Sequence, residues 1–515
     1  MAGNNIKYAG DYNAEDIVLI STSGTKETTL DISSMVIELN VYESIYKQAL
    51  TGSVVIIDAV DLGSKVRLTG NERISFKMST PKGAVDASIE TGHPMHIYKM
   101  TDKKQVKENV QRYVLHFCSR EMLRSIRTRV VTAITGPIDE IVQDIFADIN
   151  GLDSRKTLNF EPCRNGDKYT FPSMRPLDAI SMLANKALSL HGKSAGYYFY
   201  ETTQGYYFRS YENMVAIKSR LARPAVVKYD YKVRKTQVGN RASDNPNSAA
   251  SGKISNDLNS VESFEFINNY DSAAHQATGT YASHMIMYDF FNKTYQEVNF
   301  DYHDNYEDQI HTDSFKNDKT RDYNKFPISA APIDYDQNSV SDYPMSRISL
   351  IPTSRFIHGE DTGIFGVALE SDGLLEAKRV SQQNSVANGI TLRLTVPGQC
   401  HLTAGDVIDF DLRTVQKQRI PSGDDPRDIN FAGRYLITTL RHKFNQNTYQ
   451  CVMECTKDSL YIGLPDDTNV AFPPEKSSFH PLHGAYSSGS NTEANFNDLS
   501  DEDAADNQDS YRGRY

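Results

Sequence analysis

Three residues of the segment DYHDNYEDQIH could ligate a metal ion if the segment were helical. His303, Glu307 and His311 are spaced four residues apart, which would place them on one face of a helix. Imidazole and carboxylate are groups that zinc accepts as ligands. The segment has no apolar stripe to hold such a helix against a core. We therefore predict a solvated polar stretch and no metal site.

Two further patterns could bind ligands but lack essential parts. His191-Gly192-Lys193-Ser194 ends like a phosphate-binding loop, but Ala187 stands where the first glycine should be. The segment also closes a predicted helix, whereas a phosphate loop must open one. Cys451 and Cys455 would share one face of a strand. Because the whole chain has five cysteines, we predict buried thiols rather than a disulfide framework or zinc site.

No signature of catalysis stands out. The patterns HExxH, CxxC and GxGxxG do not occur. Carboxylates are so abundant that no pair, such as Asp424 and Asp425, can be singled out as acid and base. Asn292-Lys293-Thr294 is a glycosylation sequon that has no meaning without a secretion signal. We predict that the protein is not an enzyme and that it has no catalytic residues, cofactor or metal.

Charge and composition favour assembly through surfaces. The chain carries 66 acidic and 55 basic residues, a net charge of −11. This disfavours general nucleic-acid binding, which needs a basic patch, but suits a surface that nucleic acid slides past. No apolar run approaches the roughly 20 residues of a membrane span, and residues 1–16 lack a secretory pattern. The 30 tyrosines are of a type enriched at interfaces.

The elements that would position these residues begin with a β-rich block. Residues 1–118 alternate apolar and polar side chains over several short segments, which is typical of half-buried strands. We predict that the following residues point inward: Met35, Ile37, Leu39 and Val41; Ile74, Phe76 and Met78; Tyr113, Leu115 and Phe117.

Residues 119–222 have the pattern of a small α/β domain. Two apolar stripes predict helices, one from Pro137 to Gly151 and one from Pro176 to Gly192. A hairpin follows, with strands at 197–201 and 206–211 and Gly205 in its turn. Both of its faces are aromatic. We expect one face to pack on the helices, while the other contacts a further domain or a subunit, or is buried within the chain.

The rest of the chain predicts a second β-rich block that is interrupted. Residues 223–272 and 388–462 have strand patterns, 273–387 form an inserted domain, and 463–515 form an acidic polar tail. The tail is either an inert solvated extension or a segment that docks on a neighbouring subunit. Its possible anchors are Phe472, Phe479, Tyr486, Phe496, Tyr511 and Tyr515. The predicted fold class is α+β and β-rich, with two β-barrel domains plus smaller α/β domains.

Several stretches, in this order along the chain, resemble the baseplate hub proteins of contractile-tailed bacteriophages, which are related to the N-terminal part of type VI secretion spike proteins. The stretches are LTGSVVIIDAVDLGSKVRLTGNERISFKM, YVLHFCSREML, DEIVQDIFADI, RPLDAISMLANKAL, GYYFYETTQGYYFRSYENM and GTYASHMIMYDFFNKTYQEVNFDY. The resemblance covers most of residues 14–462. It does not include the tail or the long polar insert.

The resemblance implies a structural role in a virion tail baseplate, assembled in the host cytoplasm. Each chain would contribute two barrels similar to the tail-tube subunit, and three chains would form a pseudo-six-fold ring. The homotrimer would join the six-fold tail tube to the three-fold central spike and contact baseplate wedge proteins. DNA and the tape measure protein would pass through its lumen without specific binding.

Three expectations accompany this interpretation. Acidic residues of the two barrels should line the channel, since they would repel passing DNA. A hub of a non-viral contractile injection system is an alternative that sequence does not separate from a phage hub. A hub-associated peptidoglycan hydrolase is a less favoured alternative, because residues 301–345 and 463–515 look too polar to bury a compact catalytic domain.

Overall fold

The computed structural model describes most of the chain up to residue 460. The described residues are 9–23, 26–62, 68–164, 166–190, 196–216, 227–231, 258–289, 293–306, 309–312, 340–353, 369–413, 428, 430–446 and 448–460.

Strands dominate the fold, as predicted for a β-rich α+β protein. They are β1 (Asn13–Ala14), β2 (Val18–Ser23), β3 (Lys26–Asp31), β4 (Val36–Ser44), β5 (Thr51–Asp58), β6 (Arg73–Thr80), β7 (Gly83–Ala87), β8 (Met95–Lys107), β9 (Val110–Cys118), β10 (Ala133–Pro137), β11 (Leu158–Phe160), β12 (Gly166–Thr170), β13 (Tyr197–Thr202), β14 (Gly205–Ser210), β15 (Val227–Asp230), β16 (Ser263–Asn268), β17 (Ala282–Asp289), β18 (Thr294–Asp301), β19 (Ile348–Thr353), β20 (Ile390–Pro397), β21 (Val407–Asp411), β22 (Gly433–Asn445) and β23 (Tyr449–Lys457).

The helices are fewer and mostly short. They are α1 (Arg120–Arg127), α2 (Ile138–Ala147), α3 (Pro176–Ala184), α4 (Tyr211–Val215), α5 (Ser272–Ala277), α6 (Tyr302–Asn305) and α7 (Leu369–Asn388), with one 3₁₀ turn at Pro344–Ser346.

One large sheet runs through both β-rich blocks. Its main path is β16-β20-β23-β22-β4-β5-β9-β8-β6-β2-β3, with β1 and β7 on β6 and with β21 joining β15 to β22. The first block therefore meets the second where β4 pairs antiparallel with β22. Because the path ends at β16 and β3, closure of each block as a barrel stays a prediction.

The predicted inward residues of the first block are confirmed except at the start of β4, where Met35 and Ile37 are only half-buried because of a bulge. Phe76, Leu115 and Phe117 are buried as expected. In β4 the register shifts between Val36 and Glu38, and an extra residue turns the preceding side chains to the opposite face. Val36 is therefore buried while Ile37 is only half-buried, contrary to the alternation that we predicted.

Both predicted helices of the α/β region form, but each is shorter than predicted. The first ends at Ala147, so Ile149 lies beyond it and is exposed. The second ends at Ala184 rather than near Gly192. The positions of glycine and of apolar residues do not predict where these two helices end. Tertiary contacts decide whether the last helical turn is stable.

The aromatic hairpin, β13 with β14, forms as predicted. Its two-residue loop is Thr203-Gln204, and Thr202 pairs with Gly205. Gly205 has a φ of 130°, a conformation that side chains disfavour. Strand β11 adds to β14 in parallel, which makes a three-stranded sheet.

A separate three-stranded sheet lies within residues 273–387. Strand β17 pairs with β18 and β19. The strands that flank this segment, β16 and β20, pair antiparallel with each other. Helix α7 was not predicted, because its buried face is largely polar: Ser381, Gln382 and Ser385 are buried on it. The division of the chain into domains stays a prediction.

A single apolar cluster contains buried side chains of both β-rich blocks, among them Val54, Phe117, Leu392, Phe410 and Cys455. The described residues, between 9 and 460, belong to one compact unit. The predicted acidic tail, with its possible aromatic anchors, lies outside the described residues.

We predict that Gly52→Ala destabilises the first block by about 1–3 kcal/mol, the usual cost of overpacking. A Cβ at Gly52 would overlap the Phe117 ring and the backbone oxygen of Asn40. Denaturant unfolding measures the change. The control is Ile57→Ala in the same strand, at a partly exposed side chain, which should change stability far less. Equal effects would contradict the packing argument.

Candidate functional site: the junction between the two β blocks

The junction is the place where β4, β22 and the aromatic hairpin meet. Strand β22 changes partner along its length: residues 433–436 pair with β21, and residues 439–445 pair with β4. Its other edge pairs with β23, with a bulge between Ile437 and Thr439. The long strand β22 is thus shared by both β blocks.

The outer face of the β4–β22 pairing carries a small charged network. Arg441 Nε donates to Asn40 Oδ1 over 2.8 Å, and Arg441 Nη2 donates to Glu38 Oε1 over 2.9 Å. The guanidinium also lies 5.8 Å from the ring centre of Tyr42. Since Arg441 and Glu38 are partly exposed, their ion pair adds little to stability but helps to fix the register of the two strands.

Glu43 is the buried centre of the junction. Its Oε1 accepts from Thr203 N in the hairpin loop over 2.7 Å, and its Oε2 accepts from Ala404 N in the second block over 2.8 Å. His442 Nε2 of β22 lies 3.6 Å from the same carboxylate. One side chain of β4 therefore ties together three separate segments of the chain.

His442 extends this network into the second block. Its Nδ1 lies 2.6 Å from the Tyr449 hydroxyl and 3.7 Å from Cys451 Sγ. Burial alone would lower the pKa of His442, but hydrogen bonding and charge from Cys451 and Glu43 outweigh it and raise that pKa to about 10.

Cys451, His442 and Glu43 have the order of a nucleophile, a base and an orienting carboxylate. All three side chains are buried, and none of them lines the cavities of about 680 Å³ and 170 Å³. The arrangement therefore lies in the interior of the protein. The predicted buried state of Cys451 and Cys455 is confirmed.

Both aromatic faces of the hairpin are covered within the chain. One face, with Phe199 and Tyr206, packs on helices α2 and α3; the Phe146 and Tyr206 ring centres are 5.1 Å apart. The other face, with Tyr200 and Tyr207, packs on side chains of the second block such as Val407 and Leu436. The hairpin is therefore the layer between the α/β region and the second β block.

Arg209 binds the hairpin to the second block by specific contacts. Its Nε donates to the Tyr200 hydroxyl over 2.7 Å, and its Nη2 donates to Gly405 O over 3.2 Å. The guanidinium lies 4.6 Å from the Tyr207 ring centre, a favourable cation–π distance. Gly405 has a φ of 84°, and a Cβ there would overlap Tyr200 and Arg209, so the close approach requires glycine.

A second buried carboxylate, Glu201, ties the hairpin to the first block. It accepts from Leu50 N over 2.7 Å and from the Tyr206 hydroxyl over 3.0 Å. Lys156 Nζ lies 2.6 Å from Glu201 and 2.9 Å from Glu121 of helix α1. The lysine thus bridges two buried carboxylates beside a cavity of about 170 Å³.

The predicted solvated stretch around His303 and His311 is instead packed. His311 is buried, with Nδ1 2.9 Å from Asp458 Oδ2 and Nε2 3.1 Å from Tyr306 O. Its ring stacks on the Tyr306 ring, with centres 3.8 Å apart. Helix α6 ends before His311, so the helical face needed for a metal site does not form. Glu307 lies outside the described residues.

Other candidate residues are only partly described. The phosphate-loop-like residues 191–194, the pair Asp424 and Asp425, and Asn292 lie outside the described residues. The described part of the chain holds no group of three or more His, Cys, Asp or Glu side chains that could bind a metal ion.

The junction residues were not among the predicted sites, although the alternation of the strands contained a signal for them. Glu43 has the same parity as Leu39 and Val41 in β4, and Glu201 has the same parity as Tyr197 and Phe199 in β13. Because successive side chains of a strand alternate between faces, both carboxylates could have been placed on buried faces.

Comparison with known proteins finds one relevant curated relative. No protein-family model matches the chain. The chain is 24% identical over 123 residues to the probable baseplate hub protein gp334 of Vibrio phage KVP40. The match covers 23% of this chain and 25% of the length of that protein. It confirms the resemblance to baseplate hub proteins that the sequence motifs predict.

Similar solved structures include two tail proteins and a secretion component. A tail protein of Neisseria meningitidis MC58 is 8% identical, with a TM-score of 0.44 over 87% of this chain and 98% of that one. A 43 kDa tail protein of prophage MuSo2 from Shewanella oneidensis is 8% identical, with a TM-score of 0.45 over 87% and 100%. The E. coli c3393 protein, a type VI secretion component, is 9% identical, with a TM-score of 0.38 over 84% and 76%.

Among the helices of the described residues, none has both the length and the apolar character that crossing a bilayer requires.

We predict that Glu43→Ala lowers the free energy of unfolding by about 3–5 kcal/mol, because it leaves a buried histidine and two backbone donors without their carboxylate. Glu38→Ala, in the same strand on the partly exposed outer face, is the matched control and should cost about 0–1 kcal/mol. Chemical denaturation compares the two. A Glu43 variant as stable as the Glu38 variant would show that the buried network is dispensable.

Asp458 should make stability depend on pH below about 4. Burial opposes its ionisation, but His311 and the two donors of Thr312 outweigh burial and lower the pKa of Asp458 to about 2. The unfolded chain binds this proton near pH 3.9, so the stabilisation is complete above that pH and is lost as pH falls toward 2. The loss should be on the order of 2 kcal/mol.

Unfolding measured between pH 5 and pH 2.5 tests this dependence, with Asp458→Asn as the variant in which the slope becomes shallower. Asp304→Asn, at an exposed carboxylate, should keep the wild-type slope. Parallel pH profiles for wild type and Asp458→Asn would contradict the assignment.

Proposed function

We propose that this protein is a structural hub of a phage tail baseplate. The observation that carries the proposal is that two β-rich blocks of one chain join through the shared strand β22, in a chain similar to a baseplate hub protein. A hub between assemblies of different symmetry needs two similar blocks held rigidly in each subunit. Three copies of such a chain supply six blocks, arranged as a pseudo-six-fold ring.

The junction supports this role because it fixes one block against the other. Glu43, Glu201 and Arg209 bind the aromatic hairpin to both blocks through buried contacts. A rigid subunit loses little conformational freedom on assembly, so more of its contact energy is kept as affinity.

The homotrimer joins the six-fold tail tube on one side to the three-fold central spike on the other, and baseplate wedge proteins contact its outer surface. DNA and the tape measure protein pass through the lumen. Acidic side chains of the two blocks line that channel and keep DNA from binding, which accords with the net charge of −11. The place of action is the virion tail, after assembly in the host cytoplasm.

The proposed role is association rather than catalysis. The curated relative is a probable baseplate hub protein by name, and the networks of Glu43 and Glu201 at the junction are buried in the interior. No step of this role needs a cofactor.

We predict that the purified protein forms a ring of three copies, either alone at micromolar concentration or on addition of the spike protein. Sedimentation and light scattering give the mass, and averaged electron micrographs give the symmetry. Co-purification with the tail tube and spike proteins encoded in the same genome tests the adaptor role. A protein that stays monomeric with both partners present would refute the trimeric hub.

A further inference from the structure

The outer part of the β8–β9 hairpin, residues 98–112, is an edge of the large sheet that ends in a projecting tip, and we call it the basic arm. Strand β6 pairs with β8 only at Met95 and His96. Strand β5 ends opposite Gln111. From Lys99 onward, β8 therefore has β9 as its one described strand neighbour and forms a free edge. Residues 106–110 form the tip, which continues past the end of β5.

The basic arm is positively charged in an acidic protein. It carries Lys99, Lys103, Lys104, Lys107 and Arg112 against two acidic residues, whereas the whole chain has a net charge of −11. The four lysine side chains are exposed, and none forms a salt bridge with a residue that the structure describes. The positive charge of the arm also acts on His116 at its base. The pKa of His116 is lowered first by burial and then by the charge of Lys99.

Apolar side chains accompany these lysines. Tyr98, Met100 and Val106 are 42%, 37% and 54% exposed. Lysines alone are enough to protect a strand edge against aggregation, so that purpose would not require exposed apolar side chains. Charge for orientation and apolar area for affinity together are typical of a docking element.

An acidic groove of about 680 Å³ lies elsewhere on the first block. Leu39, Phe76 and Phe444 at its floor are buried, and Ile89 at its margin is 51% exposed. Glu15, Asp16 and Glu90 also stand exposed at the margin. We call it the acidic groove.

The pKa of Lys77 reflects the negative electrostatic potential of this groove. Lys77 lies 2.9 Å from Glu15. Its pKa is raised, first by the hydrogen bond to Glu15 and then by the charges of Glu15, Asp86 and Glu90. One lysine does not neutralise the carboxylates of Glu15, Asp16 and Glu90 at the margin of the groove. The groove therefore attracts a ligand that carries both basic and apolar side chains.

We propose that the basic arm of one copy of this chain docks in the acidic groove of the next copy. The inference rests on the proposed function, because it names the surfaces that join neighbouring subunits of the ring. Since arm and groove are different patches, the contact is head-to-tail, the type of contact that closes into rings. Exposed ion pairs steer and orient such a contact, so its association should weaken with added salt.

Charge reversal on each side, alone and combined, tests the proposal. The arm variant is Lys103→Glu with Lys107→Glu, and the groove variant is Asp16→Lys with Glu90→Lys. We expect either variant to weaken self-association at least about tenfold. The variant carrying all four changes should regain association to within about threefold of wild type, because every contact again joins opposite charges. Sedimentation of full-length protein, with the spike protein present where wild type needs it, measures each.

The control is Lys47→Glu with Lys293→Glu, which makes the same change in net charge at exposed turns and should leave association unchanged. Thermal unfolding of every variant separates loss of contact from loss of fold.

Three results would overturn the proposal while leaving the hub function intact: an arm variant that forms rings like wild type, a four-change variant that does not recover, or an arm variant that aggregates without defined size, as expected if the lysines only protect an edge. A wild-type protein that is monomeric under all conditions would refute the proposed trimer itself, and this contact with it.

Discussion

The structure depends on one strand that belongs to two blocks. Backbone donors and acceptors along a strand must be paired or hydrated, and an open sheet edge is prone to wrong partners. Strand β22 satisfies this requirement for both blocks: its first residues pair with β21 and its last residues with β4. The bulge near Thr438 lies where the partner changes, because an extra residue lets the strand twist and leave one neighbour for the next.

Buried polar groups then decide which surfaces meet at this junction. Apolar contacts alone would allow the hairpin to slide over the second block, since dispersion and hydrophobic burial are not directional. Glu43, Glu201 and Arg209 can satisfy their hydrogen bonds only in one arrangement. Such groups add little net stability, because their desolvation offsets most of the gain. Their contribution is a defined geometry between the blocks.

Local pattern predicted much of the fold. Alternation predicted the strands of the first block and both faces of the aromatic hairpin, and apolar spacing predicted α2 and α3. Local pattern failed where one extra residue shifted the inward–outward alternation of a strand, as at the bulge after Val36. It also failed where the buried face of a helix is polar, as in α7. His311 packs against Asp458, although 146 residues lie between the two in the sequence. Local pattern could not predict this contact, because only the tertiary structure brings the two residues together. The union of both β blocks in one sheet is likewise a non-local pairing.

The antiparallel pairing of β4 with β22 has a mechanical consequence. Seven residue pairs, from Ser44 opposite Thr439 to Glu38 opposite Asn445, lie side by side along the two strands. A pull along the strand direction loads all of these backbone hydrogen bonds at once, in shear, whereas a pull across them opens one pair at a time. This pairing therefore resists forces along the strands better than forces across them, and the contacts of the hairpin and the shared core must supply the resistance across them. The course of a single strand sets the strong direction of the pairing.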